Sequence, residues 1–253
     1  ILFMADTADT TRAIFALENV HFSYERDGQR HAVLNGVDLA LMPGQHVGFY
    51  GPNGSGKTTL FRCITGLSRP QQGTVRFHGR TLQAEKDFYH LRCAVGFVLQ
   101  HAEDQLFFPS VLEDVAFGPL NLGFSPEEAR QRALETLRHI GLDGFENRLT
   151  HRLSGGEKKL VSLAAVLAMH PEALLLDEPT NGLDSEARQH ITDVLRGLDT
   201  ARITISHDWD FLAQVSSTYL TLDKGRLNAD APDFTHAHTH AHPLGNEPHA
   251  HMP

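Results

Sequence analysis

Alternating apolar and polar positions near the start of the chain predict a β-hairpin. Residues 14–24 and 33–41 both follow a two-residue period and contain the Val, Phe and Leu typical of half-buried strands. The stretch between them, residues 25–30, is polar and contains glycine, which is the composition of a hairpin connection. We therefore expect an antiparallel sheet in this part of the chain.

Shorter apolar runs recur along the rest of the chain and predict further strands. Strands are predicted at residues 46–50, 73–77, 95–99, 174–176 and 202–205, with helices at residues 60–65 and 185–198 and a polar helix or loop at residues 83–92. Strands that alternate with helices imply a parallel sheet joined by right-handed crossovers. The fold class indicated is therefore α/β.

The pattern becomes helical between residues 101 and 152. Ser125-Pro126-Glu127-Glu128 has the form of a capping box with proline at the first helical position. Apolar residues then recur at helical spacing until Gly141, at Ala129, Ala133, Leu137 and Ile140. Another helix is predicted from residue 153 to about residue 169. We interpret residues 101–160, approximately, as a helical subdomain inserted into the α/β chain.

The segment after the strand at residues 46–50 carries the clearest chemistry. It is Gly51-Pro52-Asn53-Gly54-Ser55-Gly56-Lys57-Thr58-Thr59, a match to G-x-x-x-x-G-K-T between a predicted strand and a predicted helix. Its glycines let the backbone curl around a phosphate chain and turn N–H groups inward. Lys57 is expected to reach the β- and γ-phosphates and the Thr58 hydroxyl to ligate Mg²⁺. The pattern predicts a nucleotide site without identifying the nucleotide.

An acidic pair, Asp177-Glu178, ends the apolar run at residues 174–176. A buried parallel strand delivers the side chains that follow it to its carboxyl end. Asp177 is expected to hold Mg²⁺ there, directly or through water, and Glu178 to act as general base towards the γ-phosphate.

Three further candidates leave alternatives open when each is taken alone. His207 follows the strand at residues 202–205 and either contacts the γ-phosphate and Glu178 or is an ordinary turn residue. Gln100 offers an uncharged oxygen to Mg²⁺ or to the attacking water. Tyr24 either stacks on an adenine ring or packs in the core or a turn.

A second phosphate-binding helix start is predicted at Ser154-Gly155-Gly156-Glu157. One phosphate cradle is sufficient for one nucleotide. The economical interpretation is that this second surface closes over a nucleotide held by another copy of the chain. Two copies, facing head to tail, would then enclose two ATP molecules, and hydrolysis would release the dimer.

Composition and charge limit the kinds of partner and the cellular compartment expected for this chain. The chain has 253 residues, 41% of them hydrophobic, and carries 31 acidic against 22 basic residues, so nucleic acid is not an expected partner. Cys63 and Cys93 lie in no metal-binding spacing and are expected to be small apolar fillers in a reducing compartment. No apolar run approaches the roughly 20 residues of a membrane span, so work at a membrane would require partners. Residues 1–4 are too short for a signal peptide and are given no function.

Taken together, the order, spacing and identity of these segments over residues 13–227 resemble the nucleotide-binding subunits of ATP-binding-cassette (ABC) transporters. The resemblance implies an ATPase with a P-loop NTPase architecture, comprising a parallel core sheet, an antiparallel β subdomain and a helical insertion, with ATP and Mg²⁺ as ligands. It assigns residues 51–58 to Walker A, Gln100 to the Q-loop, residues 153–157 to the signature and residues 174–178 to Walker B. It also makes Asp184 the D-loop aspartate, His207 the switch histidine and Tyr24 the adenine-stacking residue.

Two departures from that family pattern are visible. Glu157 stands where glutamine is common, and Leu160 stands where a basic residue often follows. Neither departure changes a group expected to contact phosphate. The second leaves one usual surface charge in doubt.

Residues 100–107 and 115–121 are similar to ATPases of energy-coupling-factor importers, particularly the cobalt and nickel type, with Ala102 in place of a common proline. This similarity implies a homodimer with two competent sites. It also implies a transmembrane coupling subunit docked in the groove of the helical insertion, and a separate membrane metal-binding subunit. The chain would then be peripheral on the cytoplasmic side of the cell membrane. Vitamin importers of related design are the alternative.

Two other classes explain less of the sequence. A P-loop metal-chaperone GTPase needs a guanine-reading N-K-x-D segment, and no Asn in this chain is followed by Lys. A cassette protein acting on ribosomes or DNA usually carries two cassettes or long coiled-coil inserts and needs positive charge, which this chain lacks. Neither class is favoured.

Residues 228–253 form a tail rich in Ala, Pro and His that is expected to be disordered without a ligand. Its alternating imidazoles suit Ni²⁺, Co²⁺ or Zn²⁺ and are found at His236, His238, His240, His242, His249 and His251. A solvated low-complexity end or a purification remnant are the alternatives.

Overall fold

A computed structural model describes residues 12–26 and 28–228 of the chain. The strands are β1 (Phe15–Arg26), β2 (Gln29–Leu41), β3 (His46–Tyr50), β4 (Gln72–Phe77), β5 (Arg80–Thr81), β6 (Val95–Val98), β7 (Ala173–Asp177), β8 (Ala201–Ile205), β9 (Thr218–Asp223) and β10 (Arg226–Asn228). The helices are α1 (Lys57–Ile64), α2 (Glu85–Ala94), α3 (Val111–Asn121), α4 (Pro126–His139), α5 (Gly155–Leu167), α6 (Ser185–Arg196) and α7 (Trp209–Val215).

The first sheet is antiparallel and has the strand order β2-β1-β4-β5. Strands β1 and β2 pair as a long hairpin in which Phe15 lies opposite Leu41 and Tyr24 opposite His31. On its other edge β1 pairs with β4, so Phe15 also lies opposite Phe77. The hairpin predicted from the two-residue period is confirmed.

The second sheet positions the chemistry. Its order is β10-β9-β3-β8-β7-β6, and all neighbours pair in parallel except β9 and β10. Since β3, β6, β7 and β8 run in the same direction, the segments after all four strands emerge at one edge. Those segments include the glycine-rich loop, Gln100, Glu178 and His207.

Strand β7 is buried on both faces and joins two apolar cores. Leu175 belongs to the core between the two sheets, together with Phe49 and Phe61. Leu174 and Leu176 point the other way and pack in the core formed with α3, α4 and α5. Because successive strand residues face opposite sides, one short run of leucines holds the helical layer and the antiparallel sheet on the same central strands.

Helices α4 and α5 begin where the sequence predicts. The Ser125 Oγ accepts a hydrogen bond from the Glu128 N–H at 3.3 Å, and α4 starts at the next residue. Helix α5 begins after Ser154 in the same manner, and it ends at Leu167, two residues before the predicted end. No helix in the described part of the chain is both long and apolar enough to cross a bilayer.

A buried carboxylate joins the segments around α3. The Asp114 Oδ1 accepts hydrogen bonds from the N–H groups of Phe107 at 2.7 Å and Phe108 at 3.0 Å, and its Oδ2 accepts one from the Thr150 hydroxyl at 3.0 Å. The loop before α3 is thereby tied to the turn that precedes α5. This loop also carries the Phe107 ring, which is 71% exposed.

The short elements after β8 were not predicted from the sequence. Helix α7 has seven residues, and β9 and β10 form the far edge of the second sheet. In β9 the buried residues Leu220 and Leu222 alternate with partly exposed neighbours. That alternation is a period-two signal through which the strand could have been found.

Candidate functional site

A cavity of about 800 Å³ opens at the carboxyl edge of the second sheet. It is lined from three directions. The glycine-rich loop and α1 contribute one wall, the segments after β6, β7 and β8 contribute the second, and Tyr24 with Val33 of the antiparallel sheet contributes the third. The size suits a nucleotide-like ligand.

The glycine-rich loop requires glycine at Gly56. Its φ is 106°, and a Cβ there would lie 2.8 Å from the Val33 Cγ1. Helix α1 begins at the following residue, so its free N–H groups and its positive dipole end face the cavity. This geometry is the anion-binding start that the sequence predicts.

Lys57 lies against its own loop. Its Nζ donates hydrogen bonds to the carbonyl oxygens of Gly51 at 2.7 Å and Pro52 at 2.9 Å. Burial lowers the pKa of Lys57, while the nearby Glu178 and Asp177 carboxylates act in the opposite direction. The structure therefore places the ammonium at the mouth of the loop, where the prediction has it reaching phosphates.

Thr58 and Asp177 meet at the centre of the site. The Thr58 Oγ1 donates a hydrogen bond to the Asp177 Oδ2 at 2.8 Å. Asp177 is 2% exposed, and burial raises the pKa of its carboxyl although Thr58, Lys57 and Lys159 lower it. A hydroxyl and a carboxylate side by side are hard oxygen donors of the kind Mg²⁺ prefers, so these residues fit that ion.

Glu178 occupies an unusual backbone conformation beyond β7. Its φ is 49°, in the left-handed region, and its N–H donates to the Ile205 carbonyl at 3.0 Å. Among the described residues its buried Oε1 has no hydrogen-bond partner. Burial raises the pKa of Glu178, and His207 and Lys57 partly oppose that rise. A buried carboxylate at the cavity whose pKa is raised is a stronger base than an ordinary carboxylate and is suited to accept a proton.

His207 bridges the loop and Glu178. Its Nε2 lies 2.5 Å from the Asn53 Oδ1 and 3.2 Å from the Glu178 Oε1. The backbone N–H of His207 also donates to the Glu178 Oε2 at 3.4 Å. The two residues that the sequence pairs as base and switch are therefore adjacent in the fold.

Tyr24 and Gln100 both line the cavity. The Tyr24 ring is 42% exposed, and its hydroxyl lies 3.2 Å from the Thr59 Oγ1. A half-exposed ring above a nucleotide-sized cavity favours the stacking role over the core-packing alternative. The described contact of Gln100 is made by its backbone, whose carbonyl accepts a hydrogen bond from the Lys159 Nζ.

The predicted second phosphate surface lies outside this cavity. Ser154 caps α5 by accepting from the Glu157 N–H at 3.2 Å, and the Glu157 Oε2 accepts from the Ser154 N–H at 2.8 Å. Gly156 packs against Ala187, whose Cβ would lie 2.5 Å from an added Cβ. Within the part of the chain that the structure describes, neither this helix start nor Asp184, which caps α6, lines the cavity.

Three charged residues near the site were not found from the sequence. Arg148 donates to the Glu157 Oε1 at 2.9 Å, and Arg188 lines the cavity while paired with Asp208 at 2.8 Å. Lys159 is buried and donates to the carbonyls of Gln100 and Glu178. The only signal for Lys159 is a lysine at the start of an otherwise apolar helix.

The histidine-rich tail, His236 to His251, lies outside the described residues. Within residues 12–26 and 28–228, no group of three or more His, Cys, Asp or Glu side chains could hold a metal ion. A transition-metal site in the described fold is therefore not found.

Comparisons with known proteins place this geometry in context. A family model described as ABC transporter matches residues 34–181. A putative ABC transporter ATP-binding protein of Nitratidesulfovibrio vulgaris is 51% identical over 248 residues, covering 98% of this chain and 89% of that protein. The energy-coupling factor transporter ATP-binding protein EcfA of Methanothermobacter thermautotrophicus is 42% identical over 218 residues, covering 85% and 69%.

Solved structures agree with the sequence relatives. CbiO1 from Clostridium perfringens, described as part of the ABC transporter complex cbiONQ, has a TM-score of 0.76 and 31% identity, covering 86% of this chain and 87% of that one. The dimeric bacterial ABC transporter cassette MJ0796 has a TM-score of 0.76 and 29% identity, covering 84% and 96%.

Proposed function

The chain belongs to the ABC transporter family, and within it to the energy-coupling factor type of ATP-binding subunit. On that basis we propose that two copies form a head-to-tail dimer, and that the dimer hydrolyses ATP to power a membrane importer of cobalt or nickel ions. ATP binding and ATPase activity follow from family membership. The proposed residue roles rest on one observation: the same edge of the cavity is lined by Thr58, Asp177, Glu178 and His207.

The phosphate cradle is built by residues 51–59, and Tyr24 stacks on the adenine. Lys57 exchanges its bonds to the Gly51 and Pro52 carbonyls for phosphate oxygens. Thr58, Asp177 and Gln100 would hold Mg²⁺, which when bound would neutralise phosphate charge.

Glu178 is the general base. Its Oε1, which accepts no hydrogen bond from the described residues, takes the proton of the attacking water, and its raised pKa makes it a stronger base than an ordinary carboxylate. His207 holds the carboxylate from one side and is within reach of the γ-phosphate position beside Asn53. General-base assistance of this kind is typically worth about 10²–10⁴-fold in rate.

A second copy completes each site. The cavity of the same chain is not lined by Ser154, Gly155, Gly156 or Glu157, so in our proposal they close over the ATP of the partner, with Asp184 at the same interface. The dimeric state of the MJ0796 cassette supports this arrangement. Residues 13–227 form the ATPase domain, and residues 101–160, approximately, its helical subdomain.

The membrane partners bind the helical side. Phe107, Phe117 and Leu120 are all at least 41% exposed on or beside α3, which is unusual for large apolar residues in a group. We assign this surface to a transmembrane coupling subunit, with a separate membrane subunit binding the metal. The chain is then peripheral on the cytoplasmic side of the cell membrane. The naming of the CbiO1 relative as part of a complex supports such partners.

Cobalt or nickel is the proposed substrate because residues 100–107 and 115–121 resemble the metal-importer ATPases and because residues 228–253 are rich in imidazole. A vitamin is the alternative cargo for an importer of the same design. The tail is proposed to buffer the cation beside the transporter.

Uptake by whole cells tests the function. We expect cells lacking this chain to lose accumulation of radioactive cobalt or nickel, and the wild-type chain but not the Glu178→Gln variant to restore it. If cells lacking the chain lose uptake of a labelled vitamin but take up the metals normally, the proposed substrate is wrong and the proposed importer role stands. Normal uptake of every compound would overturn the importer role.

A further inference from the structure

Lys159 is a buried cation on α5. It is 6% exposed, and its Nζ donates hydrogen bonds to the backbone carbonyls of Gln100 and Glu178, the latter at 3.2 Å. Burial lowers the pKa of Lys159, and the carboxylates of Asp177, Glu103 and Glu178 act in the opposite direction. A buried ammonium is retained only where such partners offset the loss of water.

The two carbonyls belong to the two segments that carry catalytic groups in the proposed site. Gln100 follows β6 and Glu178 follows β7, so one ammonium joins adjacent strand ends. Glu178 has φ 49°, a conformation that an L-residue adopts only when its surroundings impose it. Its N–H donates to the Ile205 carbonyl, and its own carbonyl accepts hydrogen bonds from the Asn181 N–H at 3.2 Å and from the Lys159 Nζ, so Lys159 is the side chain that ties this turn to α5.

The helix that carries Lys159 begins at the phosphate-facing residues. Ser154 caps α5, and Lys159 lies five positions further along, which is about 7.5 Å along the axis of a helix. The first turn is braced by the Ser154–Glu157 hydrogen bonds. A displacement of the helix start is therefore carried to the Lys159 Nζ by a short rigid element.

We propose that Lys159 is a positioning residue that couples the start of α5 to Gln100 and Glu178, so that closing over the partner's ATP sets the base of the chain's own site. The inference rests on the proposed head-to-tail dimer. It makes hydrolysis cooperative, because each copy's base is placed by the nucleotide of the other copy.

The neighbouring lysine provides a matched control. The Lys158 side chain is 21% exposed and pairs with the exposed Glu103 at 3.4 Å. Replacing it removes the same charge from the same helix without touching either buried carbonyl.

The experiment compares Lys159→Met, Lys159→Gln and Lys158→Met in ATP-titrated turnover of the purified full chain. We expect Lys159→Met to lower kcat about 10–100-fold, the size of effect expected when a catalytic group is displaced by about 1 Å. The ATP concentration at half-saturation should stay within about threefold of wild type. The Hill coefficient should fall from above one towards one.

The amide of Lys159→Gln keeps two donors without the charge, so this variant should retain more turnover than Lys159→Met. It carries the test if Lys159→Met does not fold, as judged by thermal melting. Lys158→Met should stay within about twofold of wild type in kcat and keep the wild-type Hill coefficient.

Turnover of both Lys159 variants within about twofold of wild type would overturn the inference. So would a loss of turnover with an unchanged Hill coefficient, or a wild-type Hill coefficient of one, since Lys159 would then support only its own site. Size-exclusion chromatography of the Glu178→Gln chain with ATP measures dimer formation, and it distinguishes failure of the proposed dimer from failure of the role of Lys159. A chain that stays monomeric overturns the proposed dimer and this inference together, whereas a dimer with unaffected Lys159 variants overturns the inference alone.

Discussion

The Thr58 hydroxyl donates a hydrogen bond to the Asp177 carboxylate at 2.8 Å across 119 positions of sequence. The bond joins the start of α1 to the end of β7. Both oxygens are in place beside the cavity, so Mg²⁺ would find these two ligands already assembled once the hydroxyl hydrogen turns away from the carboxylate. A preformed site of this kind loses little conformational entropy on binding.

The Asp177→Asn variant should be more stable than wild type at high pH without nucleotide or Mg²⁺. Burial raises the pKa of Asp177, so the folded chain binds this proton more tightly than the unfolded chain. The resulting stability is complete below the unfolded pKa and is lost as pH rises through the folded pKa. Asparagine removes that loss and still accepts the Thr58 bond.

We expect a higher Tm for Asp177→Asn at pH 8 in EDTA, by a few degrees, since about 1 kcal/mol shifts Tm by about 2–4 °C in a chain of this size. The gain should shrink as pH falls towards about 4, the ordinary pKa of an aspartate in the unfolded chain. Asp143→Asn, at an exposed position, is the control. An equal gain at both pH values would contradict the electrostatic cause.

The Glu178→Gln variant should bind ATP normally and hydrolyse it about 10²–10⁴-fold more slowly, because the amide cannot accept a proton from water. Binding can be followed by the fluorescence of Trp209, the single tryptophan, which lies two residues after His207. Phosphate release measures turnover. Hydrolysis near the wild-type rate would remove Glu178 from the role of base.

Arg148 should matter only while residue 157 is acidic. In the proposed dimer a carboxylate at the start of α5 faces the partner's phosphates, and Arg148 offsets its charge through the 2.9 Å ion pair. In the Glu178→Gln background, Arg148→Ala should weaken ATP-dependent dimerisation about two- to fivefold, the range expected of an exposed pair. The effect should diminish at high salt.

The double variant is the control for this prediction. With Glu157→Gln present, Arg148→Ala should cause no further loss, as measured by size-exclusion chromatography at several ATP concentrations. Equal losses in both backgrounds would mean that Arg148 acts on the helix or the nucleotide directly, for example through its stacking on Phe145.

Asp114→Ala should destabilise the chain. The substitution strands the N–H groups of Phe107 and Phe108 and the Thr150 hydroxyl. Leaving a buried donor unpaired costs about 1–3 kcal/mol for each group. Urea unfolding measures the loss. Asp114→Asn keeps an oxygen for the two N–H groups and should lose less, and equal losses in the two variants would contradict the hydrogen-bond account.

A chain ending at residue 228 should lose most of its binding of Ni²⁺ and Co²⁺ while keeping its ATPase rate within about twofold. The imidazoles at residues 236–251 are the proposed ligands, and no His, Cys, Asp or Glu cluster among the described residues could replace them. Calorimetric titration of both chains with each ion provides the measurement. Unchanged affinity would remove the tail from metal binding.

The sequence alone determined the elements whose signals are local. The hairpin follows from a two-residue period, and the starts of α4 and α5 follow from Ser125 and Ser154, whose capping bonds close within three residues. The glycine-rich loop and the residues at the ends of β7 and β8 were found in the same way. Each signal is contained in a short window, so it survives without knowledge of the rest of the chain.

Tertiary structure decided which of these residues meet and what holds them. The Lys159 contact with Gln100 spans 59 positions, and the His207 contact with Asn53 spans 154. Neither has a sequence period, because such contacts depend on which strands are neighbours in the sheet. The same holds for the phosphate loop and the Ser154 helix start, since the loop lines the cavity and the helix start does not. Strand order is a property of the whole chain, and only the folded structure determines it.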